Sequence, residues 1–210
     1  HHSTIGWRSD IENISTDRLK EFYNVYYWPN NATATIIGDF ETDTTLSLIA
    51  KYFGEHKKSG HEIPQVYTEE PQQEGPRRIV VKRSGQSGIT AVAHKTPPGL
   101  DVDMYAFQVL GKILCDGKSS RLYKKIVDQG LATSLFMYDF PFKDNGLFIT
   151  YAFLTPDTDN KEVEDIILNE YNNIVSNGVE DSEIRRAVAQ IRASVAFSRD
   201  GSYAVASALN

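Results

Sequence analysis

The sequence predicts an α+β fold: a mainly antiparallel sheet covered by helices. Three observations lead there. Two pairs of strand-like runs, 77–83 with 89–95 and 131–140 with 147–154, are each separated by a short glycine-bearing turn, the pattern of hairpins. Apolar stripes of helical period stand before, between and after those pairs. Hairpins pair strands antiparallel, and amphipathic helices then bury their stripes against one face of the sheet.

Each element has its own local reason. Ser15 caps a helix carrying Leu19, Phe22, Tyr23 and Tyr26, which Trp28-Pro29-Asn30-Asn31 stops. Residues 32–37 read as a strand, Gly38-Asp39 as a turn, and 42–53 as a helix with Leu46, Ile49, Ala50 and Phe53 on one face. From 54 to 76 the chain is rich in His, Lys, Glu, Gln and Pro, a linker or a long surface crossover. The segment before it is too short to bury its own apolar faces, so a single domain is expected over 1–210.

The first hairpin turns through Ser84-Gly85-Gln86-Ser87-Gly88, and a helix follows from Asp101 with Met104, Phe107, Gly111 and Leu114 on its stripe. Gly117 ends that helix and Ser119 or Ser120 caps the next, turning Leu122, Ile126 and Val127 inward. The second hairpin turns through 141–146. Two long helices finish the chain, one from Asn160 to Ser176 ended by Asn177-Gly178, the other from Asp181 past Arg192 with an end that reads as cut. A hairpin followed by two helices thus occurs twice, through fold symmetry or coincidence.

Composition removes several function classes. The 22 basic and 28 acidic residues are intermixed and leave a net charge of -6, so no basic face for nucleic acid is expected. No run of about 18 apolar residues offers a membrane span. The start, His1-His2-Ser3, is neither a basic nor an apolar leader region, which predicts no secretory signal and a piece of a longer chain; the two histidines are native or a tag remnant. Cys115 is alone, which rules out an internal disulfide and leaves the compartment open. The triplets Asn13-Ile14-Ser15 and Asn31-Ala32-Thr33 fit the glycosylation pattern, a pattern common by chance.

The motifs that imitate chemistry fail on spacing. Gly117-Lys118-Ser119 resembles the end of a phosphate loop, but Lys112 stands where that loop needs glycine, and a helix precedes it instead of a strand. Ser87 lacks the glycine two positions on that a nucleophile elbow requires, since Ile89 is there. His94 inside a strand has no visible triad partner. His56 and His61 with Glu55 and Glu62 lack helical i, i+4 spacing and lie in a polar segment, so only adventitious metal binding is expected. Cys115 beside an apolar stripe reads as a small buried hydrophobe. Lys124-Lys125 and Arg185-Arg186 read as solvated helix faces. The residues themselves therefore predict no catalytic, cofactor-binding or metal-ligating set.

Two stretches carry a family resemblance. Ile5-Gly6-Trp7, Asp10-Ile11, Leu19-Lys20-Glu21-Phe22-Tyr23, Tyr26-Tyr27-Trp28-Pro29-Asn30-Asn31-Ala32 and Gly38-Asp39-Phe40 resemble the segment linking the two domains of a catalytic half in pitrilysin-like zinc peptidases, the group of insulin-degrading enzyme and the mitochondrial processing peptidases. Ser120-Arg121-Leu122-Tyr123 with Gly130-Leu131-Ala132 resembles the helix and strand entry of the second domain of such a half. Together they cover nearly the whole chain.

The resemblance implies the metallopeptidase-half fold shared with LuxS and the processing peptidases. Its zinc motif, H-x-x-E-H, occurs nowhere in this sequence. The family also holds substrate with an arginine and a tyrosine seven positions apart; Ile126 and Thr133 stand there, and neither can do that work.

The expectation is a non-catalytic scaffold and substrate-chamber domain of a zinc metalloendopeptidase. It would contain no cofactor of its own; its parent would hold the zinc, and its partners would be the zinc-bearing first domain, the second half and a peptide. Two alternatives stay open: a core-protein-like assembly subunit of the same fold, and an unrelated ferredoxin-like interaction module.

Overall fold

The computed structural model describes residues 5–65, 67 and 70–209; the His1-His2-Ser3 start and part of the 54–76 stretch lie outside the described residues. The chain divides into two compact units, 78–197 and a second made of residues up to 77 together with 198 onward.

The 78–197 unit holds the sheet. Strands β1 (Ile89–Pro98), β2 (Ala132–Phe140) and β3 (Asn145–Leu154) form an antiparallel three-stranded sheet in the order β1-β3-β2. The β2-β3 hairpin is the one expected. Its turn depends on Gly146, where a Cβ would lie 2.1 Å from the Phe140 carbonyl oxygen. In β3 the alternation is complete: Gly146, Phe148, Thr150, Ala152 and Leu154 are buried, while the residues between them are half-buried or exposed.

Helices α4 (Met104–Leu114), α5 (Asn160–Asn177) and α6 (Asp181–Ser198) accompany the sheet, and α4 and α5 pack on its buried face. Asp159 caps α5 by accepting from the Lys161 N–H, and Gly178 ends it at φ +73°. Spacing then directs Val163, Ile167 and Glu170 inward along one side of α5. Leu114, Leu122, Ile126, Phe148, Leu154, Val163 and Ile167 are core members.

The opposite face of the sheet is aromatic and open. Phe136, Tyr138, Tyr151 and Phe153 stack across it in edge-on pairs, Phe136 with Phe153 at 6.0 Å and Tyr138 with Tyr151 at 5.9 Å between centroids.

Between Cys115 and β2 the chain departs from the simple picture. Gly117 adopts φ +79°, and the buried Ser120 donates its hydroxyl back to the Gly117 carbonyl, so it closes a turn and does not cap the next helix. Tyr123–Val127 is wound as a π turn, with the Asp128 N–H reaching the Tyr123 carbonyl at 3.0 Å.

The other unit contains α1 (Arg8–Asn13), α2 (Thr16–Tyr26), the 3₁₀ turn Pro29–Asn31, α3 (Thr42–Phe53) and α7 (Ser202–Leu209). Ser15 caps α2 as expected, its Oγ accepting from the Arg18 N–H. The Trp28 indole and the Asn31 amide close the helix end on the Asn24 and Tyr26 carbonyls. Asn30 also receives the Ser59 N–H, so the polar stretch after α3 returns to this corner.

Two expected strands do not form. Residues 32–37 and 77–83 enter no ladder among the described residues, and β1 pairs with β3 in place of a local hairpin partner. Ile79, Val80 and Val81 stay exposed. Strand propensity supplies no neighbour, and without one the run is merely extended.

Candidate functional site

Two features of the 78–197 unit stand out, a buried ionic cluster and a cleft. Arg121 and Lys125 sit one turn apart at the π-wound segment and both reach Glu170 on α5, a carboxylate 1% exposed. Arg121 also grips Glu183 of α6 in a side-on pair, Nε to Oε1 at 2.7 Å and Nη2 to Oε2 at 2.5 Å.

Burial alone would push the Glu170 carboxyl up, but hydrogen bonds from Lys125, Asn173 and Arg121 outweigh it and hold it below its ordinary value. The Arg121 hydrogen bonds bring Glu183 down to about 2, with the Glu180 N–H assisting. The cluster thus ties the 117–134 stretch to α5 and α6. Lys125 is both a solvated lysine, as expected, and an ion-pair partner, and like the neighbouring Lys124 it is exposed.

The cleft has a volume of about 420 Å³ and lies between α4, β2 and the second half of α6. Leu135, Phe136 and Met137 line it in succession, so it runs along the strand. Strand β2 is hydrogen-bonded to β3 on one side, and among the described residues it has no strand on the other. Ile191 and Val195 face it from α6, and Gly111 and Cys115 from α4. At Gly111 a Cβ would lie 1.5 Å from the Met137 methyl carbon, the far end of a flexible side chain that would have to shift. At the rim Lys112 pairs with Asp116, whereas the Asp139 carboxylate has no ion-pair or hydrogen-bond partner among the described residues.

The residues considered for chemistry lie apart. Cys115 is in the core with Sγ 3.9 Å from Thr150 Oγ1, and desolvation pushes its thiol up to about 12, which keeps it protonated. His94 stands edge-on to the Tyr171 ring at 5.2 Å. His61 packs against Trp28 and His56 against Phe53, so neither meets the other. Ser87 makes no hydrogen bond among the described residues. Ile126 is fully buried, and Thr133 donates to the Phe153 carbonyl.

Arg186 is a correction: its Nε and Nη2 are shut off from solvent without a hydrogen-bond partner among the described residues, where a solvated guanidinium was expected. The described residues contain no group of three or more His, Cys, Asp or Glu placed to hold a metal. None of the described helices is long and apolar enough to cross a membrane.

Comparison with known proteins decides the family. The model of the peptidase M16 inactive domain matches residues 13–191. The chain belongs to the peptidase M16 inactive-domain family. A zinc protease of Helicobacter pylori, PqqE, is 32% identical over 155 residues, covering 72% of this M16 domain chain and 35% of that protein. The mitochondrial presequence protease of Schizosaccharomyces pombe is 24% identical over 196 residues, 88% of this chain and 20% of its own length. The chain therefore spans well under half of these relatives.

The crystal structure of a protease from Helicobacter pylori superposes with a TM-score of 0.88 at 28% identity, over 97% of this chain and 50% of that one. A chain of complex III2 from Candida albicans has the same fold at 19% identity, with a TM-score of 0.81. The M16 inactive domain is thus an α+β module whose relatives include zinc proteases.

Proposed function

We propose that this M16 inactive domain holds peptides without cutting them, as part of the substrate-chamber wall of a larger zinc metallopeptidase. The observation that carries the reading is β2, a strand whose outer edge has no strand partner among the described residues and which lines a cleft of about 420 Å³. An extended peptide adds to such an edge through main-chain hydrogen bonds, which are indifferent to sequence. The side chains of the added strand alternate, one set entering the cleft and the other joining the aromatic face of Phe136 and Tyr138. The zinc, the hydrolytic first domain and the second half belong to the parent protein, as its zinc-protease relatives suggest.

Hydrogen–deuterium exchange on this chain, with and without an unstructured peptide, tests the reading. Slower exchange confined to β2 is expected. Unchanged β2 exchange at saturating peptide would defeat it and leave the domain as an assembly scaffold.

A further inference from the structure

The free edge explains why a peptide would bind, but not which one. Main-chain pairing is the same for every sequence, so selection falls to the side chain that enters the cleft. Its lining includes apolar side chains, Leu135 and Met137 of β2 and Ile191 and Val195 of α6, beside the uncharged polar Gln108 and Ser194. Its rim carries three charged groups, and two of them, Lys112 and Asp116, neutralise each other. The carboxylate of Asp139 is left over.

Asp139 lies directly opposite Phe148 in the ladder, on the helix-covered side of the sheet with Leu135 and Met137. Aspartate is disfavoured within strands, and here it ends the inward row of Leu135 and Met137. A residue of an added strand directly opposite Asp139 would share its face, within cross-strand pairing distance.

We infer that the cleft selects a basic side chain, a lysine or arginine of the bound peptide, with its aliphatic stem along Met137, Ile191 and Val195 and its cationic head on Asp139. This inference rests on the reading of β2 as a peptide-binding edge. A long basic side chain is apolar along its stem and charged at its tip, and so matches both the apolar lining and the rim. A carboxylate-bearing side chain would meet repulsion at the same point.

The contrary physical reading is that an inward charge on an edge strand guards that edge against unwanted pairing. The two readings predict opposite behaviour. Two short unstructured peptides, identical except for lysine or norleucine at one central position, are titrated by fluorescence anisotropy against the full 210-residue chain and its Asp139→Asn variant.

The inference predicts that the wild-type chain binds the lysine peptide about fivefold or more tightly than the norleucine peptide. The preference shrinks with added salt and vanishes in Asp139→Asn, while norleucine-peptide affinity stays the same, which also shows the variant folded. Equal affinities in wild type, or tighter binding of both peptides by the variant, would overturn selection and leave the edge reading intact. Failure of every peptide to bind would remove the edge reading itself.

Discussion

Nη1 of Arg121 stands 3.1 Å from Oε1 of Glu170, and that carboxylate is 1% exposed. The pair joins the π-wound segment to α5 across 49 positions of sequence, and Glu183 extends it to α6. Breaking a buried pair strands a charge in a low dielectric, which costs more than forming the pair contributes. Arg121→Ala is therefore expected to destabilise the 78–197 unit by about 3–5 kcal/mol in urea denaturation. Lys125→Met, at the exposed end of the cluster, should cost about 1 kcal/mol or less.

The same cluster sets an acid limit. Glu183 and Glu170 both lie below the ordinary value of 4.5 in the folded chain, Glu183 at about 2. A depressed carboxyl stabilises the fold fully above its unfolded value and loses that contribution as pH falls through the folded one. Stability from these groups should be flat from neutral pH down to about 5, then decline between about 4.5 and about 2. Urea midpoints measured across that window should show the decline, and Glu183→Gln should reduce its depth.

Leu122 is wholly buried where the 117–134 stretch meets α5. Leu122→Ala should cost about 2–4 kcal/mol. A near-zero change in denaturation midpoint would place that segment elsewhere.

Gly111 and Gly146 give a contrast in what yields. A Cβ at Gly111 meets the far end of a flexible side chain, whereas one at Gly146 meets backbone. Gly111→Ala should cost about 1–3 kcal/mol and be relieved by adding Met137→Ala. Gly146→Ala should destabilise the β2-β3 hairpin with no single side-chain change to rescue it, as melting temperatures of the single and double variants would show.

The sequence was readable wherever a local rule had a single outcome. The strand-like run 147–154 and the stop at Asn177-Gly178 located β3 and α5 closely. It misled where a pattern needed a distant partner: 77–83 has strand composition, but β3 is the neighbour that β1 takes. The ionic cluster was illegible for the same reason, since Arg121, Glu170 and Glu183 belong to three elements and nothing in their spacing pairs them. The cleft was hidden likewise, because Gly111 and Met137 meet only after the α4 layer settles on β2. The family resemblance reached the fold through motifs along α2 and its end and through the 117–134 stretch.

The most direct test of the account is to incubate the purified chain with zinc and a saturating unstructured peptide, then measure bound metal and peptide mass together. The account predicts that peptide is retained intact on the protein, with zinc at background. Peptide cleaved by this chain alone, or zinc bound at one equivalent, would contradict it.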